Sequence, residues 1–202
     1  MTRKNLIEVL RFIMRYNMLG CNFEVVSKYA DAGLELPMRK TEYSAGYDLV
    51  AAEDTVIPSY YNMMEETLER LTVEIAKDQY LSLENMAELT KQADFRPTLV
   101  STGMKCKLAP GTYLELSVRS STPLKYWIML ANGVGIIDAD YYNNESNEGE
   151  IFLQMVNFSP FNIMIKKGEA IGQGIIKPYL TTDDDNHGGK RNGGFGSTTI
   201  TE

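Results

Sequence analysis

From Thr98 onward the chain is a succession of short β-favouring runs: TLVSTGMKCKL, TYLELSV, YWIMLA, EIFLQMVNF, NIMIKKGE and IGQGIIKPYL. Turn sequences such as AlaProGly and SerPro separate them. Many short strands at near-regular spacing predict an antiparallel sandwich or jelly roll. The texture begins further upstream, at FEVV from Phe23, AGYDLVA and TVIP. A length of 202 residues is enough for one such core domain with embellishments.

Two segments break the pattern. Residues 3–19 place Leu6, Ile7, Leu10, Ile13 and Met14 at helical spacing, which predicts a short amphipathic helix. This stretch is read either as an extension or as the product of a misassigned start, with Met18 as the alternative initiator. In residues 59–96, Met64, Leu68, Leu71 and Ile75 step by four, three and four, and Ser82 is placed to cap a second helix over 83–92. The expected organisation is therefore an N-terminal helix (1–20), a β domain (21–180) interrupted by a helical hairpin (58–97), and a Gly-rich tail (181–202). That tail holds an acidic triplet at Asp183, Asp184 and Asp185 and is expected to be mobile unless ordered.

The charge balance excludes some functions. Twenty Lys and Arg against 27 Asp and Glu, a net charge of −7, oppose a general polyanion-binding surface, so no nucleic-acid partner is expected. Cys21 and Cys106 have no metal-ligand spacing, and His187 is the single imidazole, so no zinc cluster can be built. The N-terminal apolar stretch is broken by Glu8, Arg11 and Arg15, which predicts neither a signal peptide nor a membrane span and hence a cytoplasmic protein with reduced thiols.

Four segments stand out: AGYDL (45–49), ANGVGIIDADY (131–141) and RNGGFGST (191–198) join glycine to polar side chains, a combination that lets backbone N–H groups approach an anion, and RSS (119–121) sets a guanidinium beside two hydroxyls. Singly, each has a bland reading. Asp48 reads equally as a turn carboxylate, Arg119 with Ser120 and Ser121 as a surface ion pair at a strand end, and 193–196 as a flexible tail.

In this order the segments resemble the five motifs of the trimeric deoxyuridine triphosphatases (dUTPases), with AGYDL first, VRSS second, NGVGIIDADY third, KKGEAIGQ (166–173) fourth and RNGGFGST fifth. The resemblance implies a jelly-roll-like β-clip subunit. It implies a homotrimer with active sites shared between chains, and hydrolysis of dUTP to dUMP and pyrophosphate. That reaction limits uracil incorporation into DNA and supplies dUMP for dTMP synthesis.

By the same resemblance, Asp138 is the base that activates water for attack on the α-phosphorus. Asn132, with the backbone of the hairpin through Gly135 and Ile137, reads uracil, and Tyr141 lies under the deoxyribose and rejects a 2′-hydroxyl. Arg119, Ser120, Ser121, Gln173, Arg191, Ser197 and Thr198 meet the phosphates. Phe195, beside Gly196, stacks on the base as the tail closes. Mg²⁺ is the expected cofactor, without a direct protein ligand, Asp48 holding at most one of its waters.

There are departures from the family pattern. Ala170 stands where the fourth motif usually has Arg, Gly172 where it has Ala, and YNNESN precedes EGE (148–150) after the third motif. The longer loop resembles members from Gram-positive bacteria and their phages. A dCTP deaminase, which shares the fold, would need a catalytic Glu where LQMVN supplies Gln154. A regulatory protein docking a partner through the 59–96 insertion is the alternative from another class. Exposure of Met63, Met64 and Leu68 would favour it.

Overall fold

The computed structural model describes residues 20–71, 82, 85 and 96–185. Among these, the chain runs β1 (Asn22–Val25), β2 (Tyr47–Val50), β3 (Thr55–Ile57), α1 (Tyr60–Leu71), β4 (Thr98–Ser101), β5 (Met104–Lys107) and β6 (Thr112–Val118). It continues through α2 (Ser121–Tyr126), β7 (Ile128–Leu130), β8 (Gly135–Ile137), β9 (Phe152–Asn157), β10 (Ile163–Ile165) and β11 (Ala170–Pro178). The strands form four small antiparallel sheets, ordered β1–β5, β10–β3, β2–β11–β6–β8 and β4–β9–β7. The mainly β fold expected from the spacing of apolar runs is the one observed.

Alternation in the sequence decides which face of each strand is inside. Along β6, Thr112, Leu114 and Leu116 are buried while Tyr113, Glu115 and Ser117 are more open. Along β9, Leu153 and Met155 are buried and Phe152, Gln154 and Val156 point the other way. Leu49, Ile57, Val100, Leu114, Ile128, Ile151, Leu153 and Met155 close the core between the sheets. Each such side chain contributes about 1.5–3 kcal/mol of transfer free energy. Cys106 belongs to the same core, and burial pushes its thiol up to about 12.

The outward face of β4–β9–β7 is also apolar. Leu99, opposite Gln154, and Met129, opposite Val156, are 47% and 41% exposed in the single chain. Beside them Trp127 ends α2 in a left-handed conformation (φ 56°), its N–H donating to the Pro123 carbonyl, and leaves most of its ring in solvent.

The inserted segment is fixed at its root. The Ser59 N–H donates to Asn162 Oδ1 at 2.8 Å, its hydroxyl donates to the Ser159 carbonyl, and the Tyr60 ring packs on Phe158 at 5.4 Å between centroids. The first arm of the expected hairpin is α1, on which Met63 is half-buried and Met64 exposed. Where the second arm is expected to begin, the Asn85 N–H donates to Ser82 Oγ at 3.1 Å. The rest of that arm, the Leu68 side chain, the helix expected over 3–19 and the tail from 186 lie outside the described residues.

Candidate active site

The first and fourth motifs meet through strand register. Gln173 on β11 stands directly opposite Asp48 on β2 and opposite Ser117 on β6, so the three side chains form one row across the sheet. A Cβ at Gly46 would run into the Gln173 carboxamide, so glycine there makes room for that side chain. Gln173 Nε2 donates to the Val118 carbonyl at 3.4 Å.

Arg119 leaves the end of β6 and turns back to this row. Its Nε lies 3.4 Å from Asp48 Oδ1, and Nη1 donates to the Ala170 carbonyl at 3.5 Å. The guanidinium thus reaches the backbone at the position where the family usually carries an Arg side chain. Asp48 Oδ2 is buried and has no hydrogen-bond partner among the described residues. Ser120, exposed, and Ser121, the first residue of α2, follow directly. Asp48 opens on a cavity of about 490 Å³ lined also by Leu34, Met38, Lys40, Lys167 and Ala170.

The third motif is built elsewhere on the chain. A tight turn carries the chain from β7 in one sheet to β8 in another: the Gly133 N–H donates to the Leu130 carbonyl at 3.1 Å, the Val134 N–H donates to the Asn132 carbonyl at 2.7 Å, and Gly133 sits at φ +70°. Asn132 is exposed at its tip. Gly135 pairs with Leu116 and lies so close to it that a Cβ would come within 3.1 Å of the Leu116 side chain. Ile137 packs on the core and ends β8.

Asp138 follows in extended conformation and leads into a single 3₁₀ turn, Ala139–Tyr141. Asp138 and Asp140 border an open cleft of about 690 Å³, completed by Leu108, Pro110, Gly111, Ala139 and Tyr179. Tyr141 is 4% exposed. Its hydroxyl donates to the Glu150 carbonyl at 3.0 Å and accepts from Asn147 Nδ2 at 2.8 Å.

The sequence-predicted residues therefore fall into two groups on one chain. Arg119 and Gln173 gather at Asp48, which borders one cavity, with Ser120 next in the chain; Asn132, Gly135, Ile137, Asp138 and Tyr141 follow one another along a second segment, with Asp138 on another cavity. Arg191, Phe195, Gly196, Ser197 and Thr198 lie outside the described residues. Tyr179 and Gly111 were not legible as neighbours of Asp138, since the register of β11 on β6, continued by the Tyr179 N–H donating to the Gly111 carbonyl at 3.1 Å, brings them together. Among the described residues, no three His, Cys, Asp or Glu side chains converge to hold a metal, and no helix is long and apolar enough to cross a membrane.

Comparison with known proteins agrees with this geometry. The dUTPase family model matches residues 76–199. The deoxyuridine 5′-triphosphate nucleotidohydrolase of Lactococcus lactis is 40% identical over 178 residues, covering 87% of this chain and 95% of the relative. That of Paramecium bursaria Chlorella virus 1 is 30% identical over 172 residues, covering 81% and 89%. Among solved structures, the dUTPase from Streptococcus mutans superposes with a TM-score of 0.60 at 35% identity, over 80% of this chain and 98% of that one. The dUTPase from phage phi11 of S. aureus, at 15% identity and a TM-score of 0.54, shares the fold over 83% of this chain and 96% of its own. A family model that spans most of the β domain, a relative aligned almost end to end, and four of the five motifs set on a jelly-roll-like scaffold agree: the chain belongs to the dUTPase family.

Proposed function

We propose that this protein hydrolyses dUTP to dUMP and pyrophosphate in the cytoplasm, at sites assembled between three copies of the chain. The observation that carries the shared site is the separation of Asp48, with Arg119 and Gln173 beside it, from Asp138: the two carboxylates border different cavities. Neither cavity alone gathers both the groups suited to phosphate and the candidate base. The exposed apolar face carrying Leu99, Met129 and Trp127 supplies surface that association would cover.

In the assembled site, Asn132 and the backbone from Gly133 to Ile137 read the uracil edge. Pairing of β8 with β6 and the close fit of Gly135 on Leu116 leave that backbone little freedom to move aside for a thymine methyl. Tyr141 bounds the sugar. Asp138 takes a proton from water; the water oxygen bonds to the α-phosphorus, and the bond from that phosphorus to the α–β bridging oxygen breaks as pyrophosphate leaves.

Arg119, Ser120, Ser121 and Gln173 meet the triphosphate, joined by Arg191, Ser197 and Thr198 from the tail, with Phe195 and Gly196 over the base. Mg²⁺ fits this set: Asp48 Oδ2 is a buried carboxylate oxygen with an unused lone pair, suited to accept from a water of the ion. When bound, the ion offsets triphosphate charge. The organisation is an N-terminal extension (1–20), a β domain (21–180) with its insertion (58–97), and a closing tail (181–202).

Product analysis with Mg²⁺ and dUTP, UTP, dCTP and dTTP tests the reading. Pyrophosphate and dUMP from dUTP alone, reduced by about 10²–10⁴-fold in Asp138→Asn, is the expected outcome. Ammonia release from dCTP, or equal hydrolysis of all four, would overturn it.

A further inference from the structure

The loop that departs from the family pattern makes direct contact with Tyr141, and the contact is a built one. Asn147 Nδ2 donates to the Tyr141 hydroxyl at 2.8 Å. Asn147 is itself held, because its Oδ1 accepts from Asn144 Nδ2 at 2.7 Å and from the Gly149 N–H at 3.1 Å. Asn144 closes the ring of contacts, with Nδ2 also donating to the Tyr141 carbonyl at 3.1 Å and Oδ1 accepting from the N–H groups of Ser146 and Asn147.

Gly149 makes the approach possible. It sits at φ +78°, and a Cβ there would strike the Tyr141 carbonyl oxygen. The far side of the loop is tied to the β domain, where Lys105 Nζ donates to Asn143 Oδ1 at 2.6 Å and to Glu148 Oε2 at 3.3 Å. The Ser27 hydroxyl donates to Glu148 Oε1. On its other side the Tyr141 hydroxyl reaches the backbone of Glu150, whose buried carboxylate accepts from Ser101.

A phenol ring turns about two side-chain torsions, and fixing its hydroxyl at the far end from Cβ removes most of that freedom. A sugar-excluding wall discriminates only as well as it resists displacement by the bulkier substrate. We propose that Asn147 is a positioning residue for substrate selection: through the Tyr141 hydroxyl it holds the ring against the sugar and sets the preference for a 2′-deoxyribose over a ribose. This rests on the reading of Tyr141 as the residue that bounds the sugar.

The test is kcat/KM for dUTP and for UTP in the full-length protein carrying Asn147→Asp, Asn147→Ala, Tyr141→Phe, Tyr141→Ala, or Tyr141→Phe with Asn147→Ala. Asn147→Asp keeps the acceptor that binds Asn144 and Gly149 and sets a second acceptor in place of the donor, so the phenol stays bonded to the loop only by giving up the Glu150 carbonyl. The dUTP-to-UTP ratio should fall roughly three- to tenfold in Asn147→Asp and in Tyr141→Phe, and the double variant should lose no more than Tyr141→Phe alone. Parallel loss on both substrates, with the ratio kept, would overturn the proposal and leave Asn147 a scaffold residue. If Tyr141→Ala also keeps the ratio, the sugar reading of Tyr141 fails; if Tyr141→Ala abolishes discrimination while Asn147→Asp retains it, only the role of Asn147 fails.

Discussion

Arg119 holds one oxygen of Asp48 and leaves the other bare: Nε stands 3.4 Å from Oδ1, while Oδ2 is sealed from solvent with no partner among the described residues. The Asp48 side chain is 13% exposed and Arg119 38%, so the carboxylate bears most of the desolvation. Removing the cation from such a pair costs more than the pair contributes, because a buried charge is left without compensation. Arg119→Met should lower unfolding stability by about 1–3 kcal/mol, less than for a fully buried pair since the guanidinium is partly solvated. Asp48→Asn in the Arg119→Met background should recover part of that loss. Urea midpoints of the four proteins check it, and additive losses would show that the two side chains do not interact.

The separation of Asp48 and Asp138 onto different cavities, with Gln173 opposite Asp48 in the sheet, predicts complementation. Asp138→Asn and Gln173→Ala are each expected to be strongly impaired, yet in a mixed trimer some sites combine an intact Asp138 from one chain with an intact Gln173 from another. Random equal mixing restores about a quarter of the sites when the two groups come from different chains. Co-refolding followed by a pyrophosphate assay measures this. Mixed trimers without recovered activity would mean that each chain carries its own site.

Gly46 separates stability from binding. A Cβ there meets the end of the Gln173 side chain, which can swing aside, rather than backbone, which cannot. Gly46→Ala should therefore unfold within about 1 kcal/mol of the parent while KM for dUTP rises several-fold. Gly149→Ala is the contrast: its Cβ meets the Tyr141 backbone at a left-handed φ, and a loss of about 2 kcal/mol or more is expected. Thermal melts beside dUTP titrations distinguish the two.

Acid should weaken the fold through carboxylates that take no part in the proposed chemistry. The Tyr142 hydroxyl, then the Asn22 amide, hold Glu24 below its ordinary value of 4.5. The Ser27 hydroxyl and N–H, then Lys105, do the same for Glu148, and Lys166 with the Lys167 N–H for Asp54. Their pKa values are lower folded than unfolded, so their stabilisation is complete above the ordinary carboxylate range. It is lost as the pH falls through the depressed values. Urea midpoints should thus decline below about pH 4.5. They should decline less steeply in a protein carrying Glu24→Gln, Asp54→Asn and Glu148→Gln; an unchanged slope would assign acid sensitivity elsewhere.

The strands after Thr98 were legible because alternation such as that of TYLELSV has one solution against a core, with Leu114 and Leu116 inside. α2 was not, since STPLKY is six residues without helical periodicity and is closed by Trp127 in a conformation no local pattern announces. The pairing of Asp48 with Gln173 is a matter of strand register between segments more than a hundred residues apart, and only the assembled sheet fixes it. The motif resemblance named Asp138 and Tyr141, but nothing in YNNESN alone indicates that Asn147 turns inward to the phenol.

Strand β11 carries Gln173 near its start and delivers Tyr179 to the cleft of Asp138 at its end. Six residues of extended chain span about 20 Å. β6 is paired with this strand from Gly172 to Pro178, and β2 grips its start as far as Gly174, so that span behaves as a ruler. Each copy would then present its phosphate-facing row and its base-bearing cleft at one fixed offset, and the spacing between neighbouring sites in an assembly would be inherited from the pitch of a single strand.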